Sequence, residues 1–109
     1  MSCGYEYARG KCIYLSGAMS GCEDWNKPLF DKWEQIFYRS GANYVHNPAA
    51  TALIDHDKPH EFYMRRDLFE LTRGVYDFVA MLPGWAKSDG AKIEKAVAEA
   101  CGIELVYVL

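Results

Sequence analysis

None of the four cysteines of this chain stands in a CxxC pair. Cys3, Cys12, Cys22 and Cys101 show neither a zinc spacing nor a disulfide framework, so they read as reduced thiols. His46, His56 and His60 are equally scattered, and because metal ligands come as clusters, neither a metal nor another cofactor is expected. Basic residues never cluster beyond Arg65-Arg66, and the formal net charge is -3. Binders of nucleic-acid polymers present a basic surface, which argues against that class, while a small anion in a local pocket stays compatible. No apolar run approaches the roughly 20 residues that a membrane-spanning helix needs, and the first residues lack the basic-then-apolar layout of a signal peptide. A soluble, cytoplasmic protein without a membrane partner is the expectation. Repeats and low-complexity tracts are also missing, and 109 residues, 50% of them hydrophobic, suit one compact domain.

Residues 1–10 are polar and glycine-containing without periodicity, and read as a loose tail ahead of a domain spanning 11–109. Lys11-Cys12-Ile13-Tyr14-Leu15-Ser16 is a short β-favouring run, followed by the glycine-bearing loop Gly17-Ala18-Met19-Ser20-Gly21. A helix is predicted from about Asp24 or Asn26 to Gly41, with Pro28 in its first turn and Leu29, Trp33, Ile36 and Phe37 at helical spacing. Trp25 and Phe30 share that spacing and read as core. Asn43 to Asn47 is a second strand stopped by Pro48, and 49–58 is an irregular connection. A second helix runs from near Pro59 to Gly74 with an apolar stripe of Met64, Leu68 and Leu71.

Phe78 to Leu82 is a continuous apolar run of the kind found in a parallel sheet covered on both faces. A third helix opens within Ser88-Asp89-Gly90-Ala91-Lys92-Ile93-Glu94 and is expected to bury Ile93, Val97, Ala100 and Cys101. It stops at Gly102, and Ile103 to Leu109 forms a last strand. The order β-α-β-α-β-α-β predicts an α/β, three-layer, flavodoxin- or Rossmann-like domain with a four-stranded parallel sheet in the order 2-1-3-4. Ligands of such sheets sit beyond the carboxyl ends of the strands where the order reverses, here between strands one and three. The loops 17–21 and 83–90 would meet at that crevice.

Two carboxylates stand out. Asp67 falls inside the apolar stripe of the second helix, and an inward carboxylate is costly unless it is paired or solvated by a cleft. Glu94 lies about a turn inside a helix start, where the macrodipole favours negative charge, and Ala91 and Ala98 beside it leave room for a ligand. Cleavage at a sugar anomeric carbon commonly uses one ionised carboxylate to attack and a second acid to manage a proton. Each residue also has a plainer reading, Glu94 as a first-turn acid and Asp67 as half of an ion pair. The glycine loop offers backbone N–H groups to a ligand or is a tight turn. Tyr14 reaches toward Glu94 or packs in the sheet, and Trp85 stacks on a base or covers the sheet edge.

Together, Ile13-Tyr14-Leu15-Ser16-Gly17, Arg66-Asp67-Leu68, and Ser88 followed by Glu94 and Gly102 resemble the nucleoside 2-deoxyribosyltransferase-like superfamily. That superfamily also holds 2'-deoxynucleoside 5'-monophosphate N-glycosidases and an uncharacterised group common in bacteria and phages. The resemblance covers nearly all of 11–109. It implies that Glu94 is the nucleophile at C1' of a deoxyribose, that Tyr14 holds it, and that Asp67 handles a proton or contacts the sugar and base. It further implies a small-molecule nucleoside or nucleotide as ligand; with the crevice between the two loops, the expected contacts are Ser16, Gly17, Ala18, Met19, Ser20, Gly21, Trp85, Ser88 and Gly90. Ser88 matches a phosphate-binding serine, whereas the serine and arginine of the family's first loop are replaced by Ala18 and Ser20. A homo-oligomer is expected, since edges and aromatic residues are many for so short a chain. The alternative is a nucleotide-binding module of the same fold without turnover.

Overall fold

The computed structural model describes residues 5–50 and 58–109. Four strands, β1 (Cys12–Ser16), β2 (Tyr44–His46), β3 (Phe78–Met81) and β4 (Glu104–Tyr107), alternate with three helices, α1 (Lys27–Arg39), α2 (His60–Leu71) and α3 (Asp89–Ala100). The strands pair in parallel in the order β2-β1-β3-β4, as the alternating pattern predicts. Among the described residues no helix is long and apolar enough to cross a membrane, and Cys12, Cys22 and Cys101 are unpaired.

Side-chain alternation along the central strands builds two cores. Ile13 and Leu15 of β1, with Phe78, Ala80 and Leu82, pack against Phe30, Trp33 and Phe37 of α1. Tyr14, Val79 and Met81 point the other way, toward Leu71 of α2 and Ala91 and Ala98 of α3. Ser16 follows Tyr14 by two and therefore shares its face. This parity aims two hydroxyl groups of β1 at the underside of α3. At the carboxyl end of β1 the chain turns at Gly17, where an added Cβ would stand 3.2 Å from Leu82 Cβ and 3.3 Å from Phe30 Cζ.

Two expectations need correction. Residues 5–10 are no loose tail: a short 3-10 turn spans Glu6–Ala8, Ala8 is fully buried, and Tyr5 meets Trp33 and Phe37 edge-on at 5.5 and 6.1 Å. The aromatic surface gained outweighs the polar composition that suggested disorder; residues 1–4 lie outside the described residues. The inner face of α3 is also not the predicted one. Ile93 is 43% exposed, Ala100 and Cys101 are exposed, and the buried positions are Ala91, Glu94 and Ala98. Small side chains at 91 and 98 let the helix lie close to the sheet, so steric fit overrides the hydrophobic ranking of the two faces. The 49–58 connection begins with a 3-10 turn at Pro48–Ala50, and 51–57 lie outside the described residues.

Ala8→Leu tests the packing of the N-terminal turn. Overfilling a closed site should lower the unfolding free energy by about 1–3 kcal/mol, whereas a substitution in a loose tail changes it by less than ~0.5 kcal/mol; urea denaturation distinguishes the two.

Candidate active site

Glu94 is 6% exposed, and both of its carboxylate oxygens are held. Ser16 Oγ donates to Oε1 at 2.7 Å, and the Tyr14 hydroxyl donates to Oε2 in a short hydrogen bond. Burial disfavours the ionised form and the two donors favour it; burial wins, and the carboxyl is pushed up to about 7, with the charge of Asp67 adding to the rise. The Tyr14 hydroxyl is also buried and held well above its ordinary pKa, so it stays a neutral donor.

Tyr14 has one proton and two acceptors, because the Asp67 carbonyl oxygen lies 3.3 Å from the same hydroxyl. With Glu94 ionised, the proton goes to Glu94. With Glu94 protonated, the carboxyl donates to the Tyr14 oxygen and Tyr14 turns its own proton to the Asp67 carbonyl. Either state is satisfied without moving a heavy atom. The Tyr14 ring is fixed by its cross-strand neighbour His46, stacked at 4.9 Å and 26°, and by Tyr76 edge-on at 5.4 Å. Burial lowers the His46 pKa and keeps that imidazole neutral.

Glu94 opens onto a cavity of about 550 Å³ between the first loop, the start of α2 and the start of α3, a size usual for small-molecule sites. Asp67 is in its wall, with burial raising its pKa against the lowering effect of Arg66, 3.6 Å away. Gly17, Met19, Ser20, Ser88 and Gly90 line it as well. Ser88 caps α3, its Oγ accepting from the Ala91 N–H at 3.1 Å, which leaves the hydroxyl proton free to donate. An added Cβ at Gly90 would come 3.2 Å from Met64 Sδ, so glycine there keeps α2 and α3 close.

Several predicted ligand contacts stand elsewhere. Ser16 lies behind Glu94 rather than in the cavity wall, because strand parity points it at the helix, beside Tyr14, which holds Glu94 as expected. The Ala18 carbonyl accepts from Asn26 Nδ2 at 2.9 Å, and Gly21, at φ 80°, turns the loop. Neither lines the cavity, nor does Trp85, which packs on Tyr107 at 5.7 Å under Lys95. Of Ala91 and Ala98, the first reaches the cavity and the second packs in the core. The tryptophan in the wall is Trp25, assigned to the core by its spacing but lifted out of it by three successive left-handed residues, Asp24, Trp25 and Asn26. Met64, also read as core, and Pro48, Lys58, His60, Tyr63, Arg66, Lys87 and Asp89 complete the wall. Among the described residues no three His, Cys, Asp or Glu side chains converge as metal ligands.

Fold and site together define an α/β domain with a buried, hydrogen-bonded carboxylate at the switch point of a parallel sheet. A family model described as "Domain of unknown function (DUF4406)" matches residues 11–107, and the chain belongs to that family. No match was found among curated proteins or solved structures.

The raised pKa of Glu94 has a signed consequence for stability. The folded state holds this proton more tightly than the unfolded one, so the contribution is complete below the unfolded value near 4.5 and is lost as pH rises through about 7. Glu94→Gln removes the titration while its amide still donates to Tyr14 and accepts from Ser16. Between pH 5 and pH 8 the wild type should lose on the order of 3 kcal/mol relative to Glu94→Gln, read from denaturation midpoints at both pH values.

Proposed function

We propose that this protein cleaves the N-glycosidic bond of a 2'-deoxynucleoside or its 5'-monophosphate through Glu94, as an N-glycosidase or a deoxyribosyltransferase. The observation that carries the reading is the clamped carboxylate. A charged group is seldom placed on the buried face of a helix unless it is used, and here two hydroxyls fix both oxygens at the edge of a ligand-sized cavity. A second carboxyl, Asp67, with a pKa raised by burial, lies in the same wall. The resemblance of Tyr14, Asp67, Ser88 and Glu94 to the deoxyribosyltransferase-like superfamily supports the same chemistry.

In this mechanism ionised Glu94 attacks C1' of the deoxyribose. The C1'–N bond breaks, its electron pair goes to the base, and the base nitrogen takes a proton from the carboxyl of Asp67 or from solvent. Water then attacks C1' of the glycosyl ester and gives a proton to the Asp67 carboxylate, which frees Glu94; in a transfer reaction a second base takes the place of water. Tyr14 and Ser16 position the nucleophile and keep part of the carboxylate charge hydrogen-bonded until the ester forms. Self-association belongs to the same proposal, supported by exposed Phe69 and Tyr107 at 75% and 50% exposure.

Incubation with the common deoxynucleosides and their 5'-monophosphates should release free base. Glu94→Ala should lower that rate by about a thousandfold or more, and Tyr14→Phe by roughly 10- to 100-fold. Because the ionised carboxylate attacks, kcat/KM should rise with pH through about 7. Base release that is absent for every substrate, or undiminished in Glu94→Ala, would falsify the proposal.

A further inference from the structure

Charge in the cavity is sorted by depth. In a parallel sheet, α2 and α3 both start at the carboxyl ends of strands and run back beside them. Lys58 and His60 stand at the start of α2, and Lys87 ends the 3-10 turn immediately before α3. Asp67 lies seven residues into α2 from His60 and Glu94 six residues beyond Ser88, about 10 and 9 Å deeper at the helical rise. The rim is therefore basic and the floor acidic.

Among the described residues no carboxylate is ion-paired with Lys58 or Lys87; Lys58 Nζ lies 6.0 Å above the Phe62 ring. Among the described residues the acidic one at the rim is Asp89, whose side chain is 92% exposed and stands 3.7 Å from Lys92. Arg66 sits deeper, beside Asp67. In a chain of net charge -3, two lysines and a histidine from two separate segments converge on the mouth of the cavity that contains Glu94.

We infer that the ligand of this cavity carries a phosphate ester held at the rim by Lys58 and Lys87, so that 5'-monophosphates bind in preference to free nucleosides; only their being substrates rests on the glycosidase reading. The replacement of the family's first-loop arginine is then made good from the opposite wall, by Lys58 and Lys87. Lysine ammonium groups serve phosphate as point charges, and the Ser88 hydroxyl proton adds a neutral donor. The span fits. From C1' to phosphorus there are five bonds, roughly 6 Å extended, which with a contact of about 3 Å at the carboxylate matches the depth from rim to Glu94.

Binding is measured by calorimetry on Glu94→Gln, which blocks turnover, with deoxynucleosides and 5'-monophosphates of matched base. The monophosphate should bind roughly 10- to 100-fold more tightly. The gap should narrow at high salt and collapse in Lys87→Gln or in the Lys58→Gln, Lys87→Gln double variant, each shown to be folded by circular dichroism. Equal affinities, a gap indifferent to both lysines, or no binding of any monophosphate overturns the inference. A gap without base release in the wild type leaves it standing and removes the glycosidase reading, whereas base release with equal affinities does the reverse.

Discussion

The structure depends on how a carboxylate is kept on the inner face of α3. Removing an ionised group from water costs several kcal/mol unless hydrogen bonds replace the solvent, and Glu94 has two of them, from neutral hydroxyls of one strand. Neutral donors offset part of the cost without the rigidity of an ion pair. They leave a group that ionises near neutral pH, where a salt-bridge partner would have held it permanently charged. The alternation of β1 is the device that makes this possible, because Tyr14 and Ser16 leave Ile13 and Leu15 free to build the opposite core.

Close approach of α3 to the sheet is the second requirement, since hydroxyl groups on a strand reach only a short way. Ala91 and Ala98, one turn before and after Glu94, meet it. Leucine at either position would lift the helix and lengthen both hydrogen bonds, and Gly90 applies the same economy of volume to the contact with α2. The helix is thus less hydrophobic on its buried side than its sequence invites, and Ile93 is left in solvent.

That inversion marks the limit of what the sequence discloses. Strand order, helix order and the inward set of Asp67 were legible because each follows from local periodicity and from the few ways a β-α repeat can close. The face of α3 was legible only at Val97, which packs half-buried against the core; hydrophobic ranking also favours Ile93 while volume favours Ala91 and Ala98, and volume matters only once the facing strand is known. Ser16 was legible as a residue of the strand end but not as a support for Glu94, which requires the register of β1 against α3. Trp25 was misplaced because left-handed backbone is rare at tryptophan, and helical spacing alone carries no sign of it. The rim lysines had no signal at all: Lys58 and Lys87 are isolated in sequence and meet only through the tertiary fold.

The basic rim also bears on the protonation of Glu94, the nucleophile of the proposed mechanism. A unit charge about 9 Å away at an effective dielectric of about 20 is worth roughly 2 kcal/mol, which is more than one pKa unit. A phosphate at the rim with no counter-charge would therefore drive Glu94, already raised to about 7 by burial, toward its protonated and unreactive form at neutral pH. On the inference that Lys58 and Lys87 hold that phosphate, their charges would offset its field. On the proposed reading, the same two side chains would attract the anionic ligand and let the buried carboxylate stay ionised once it has arrived, so that recognition at the mouth and reactivity at the floor would be one electrostatic arrangement.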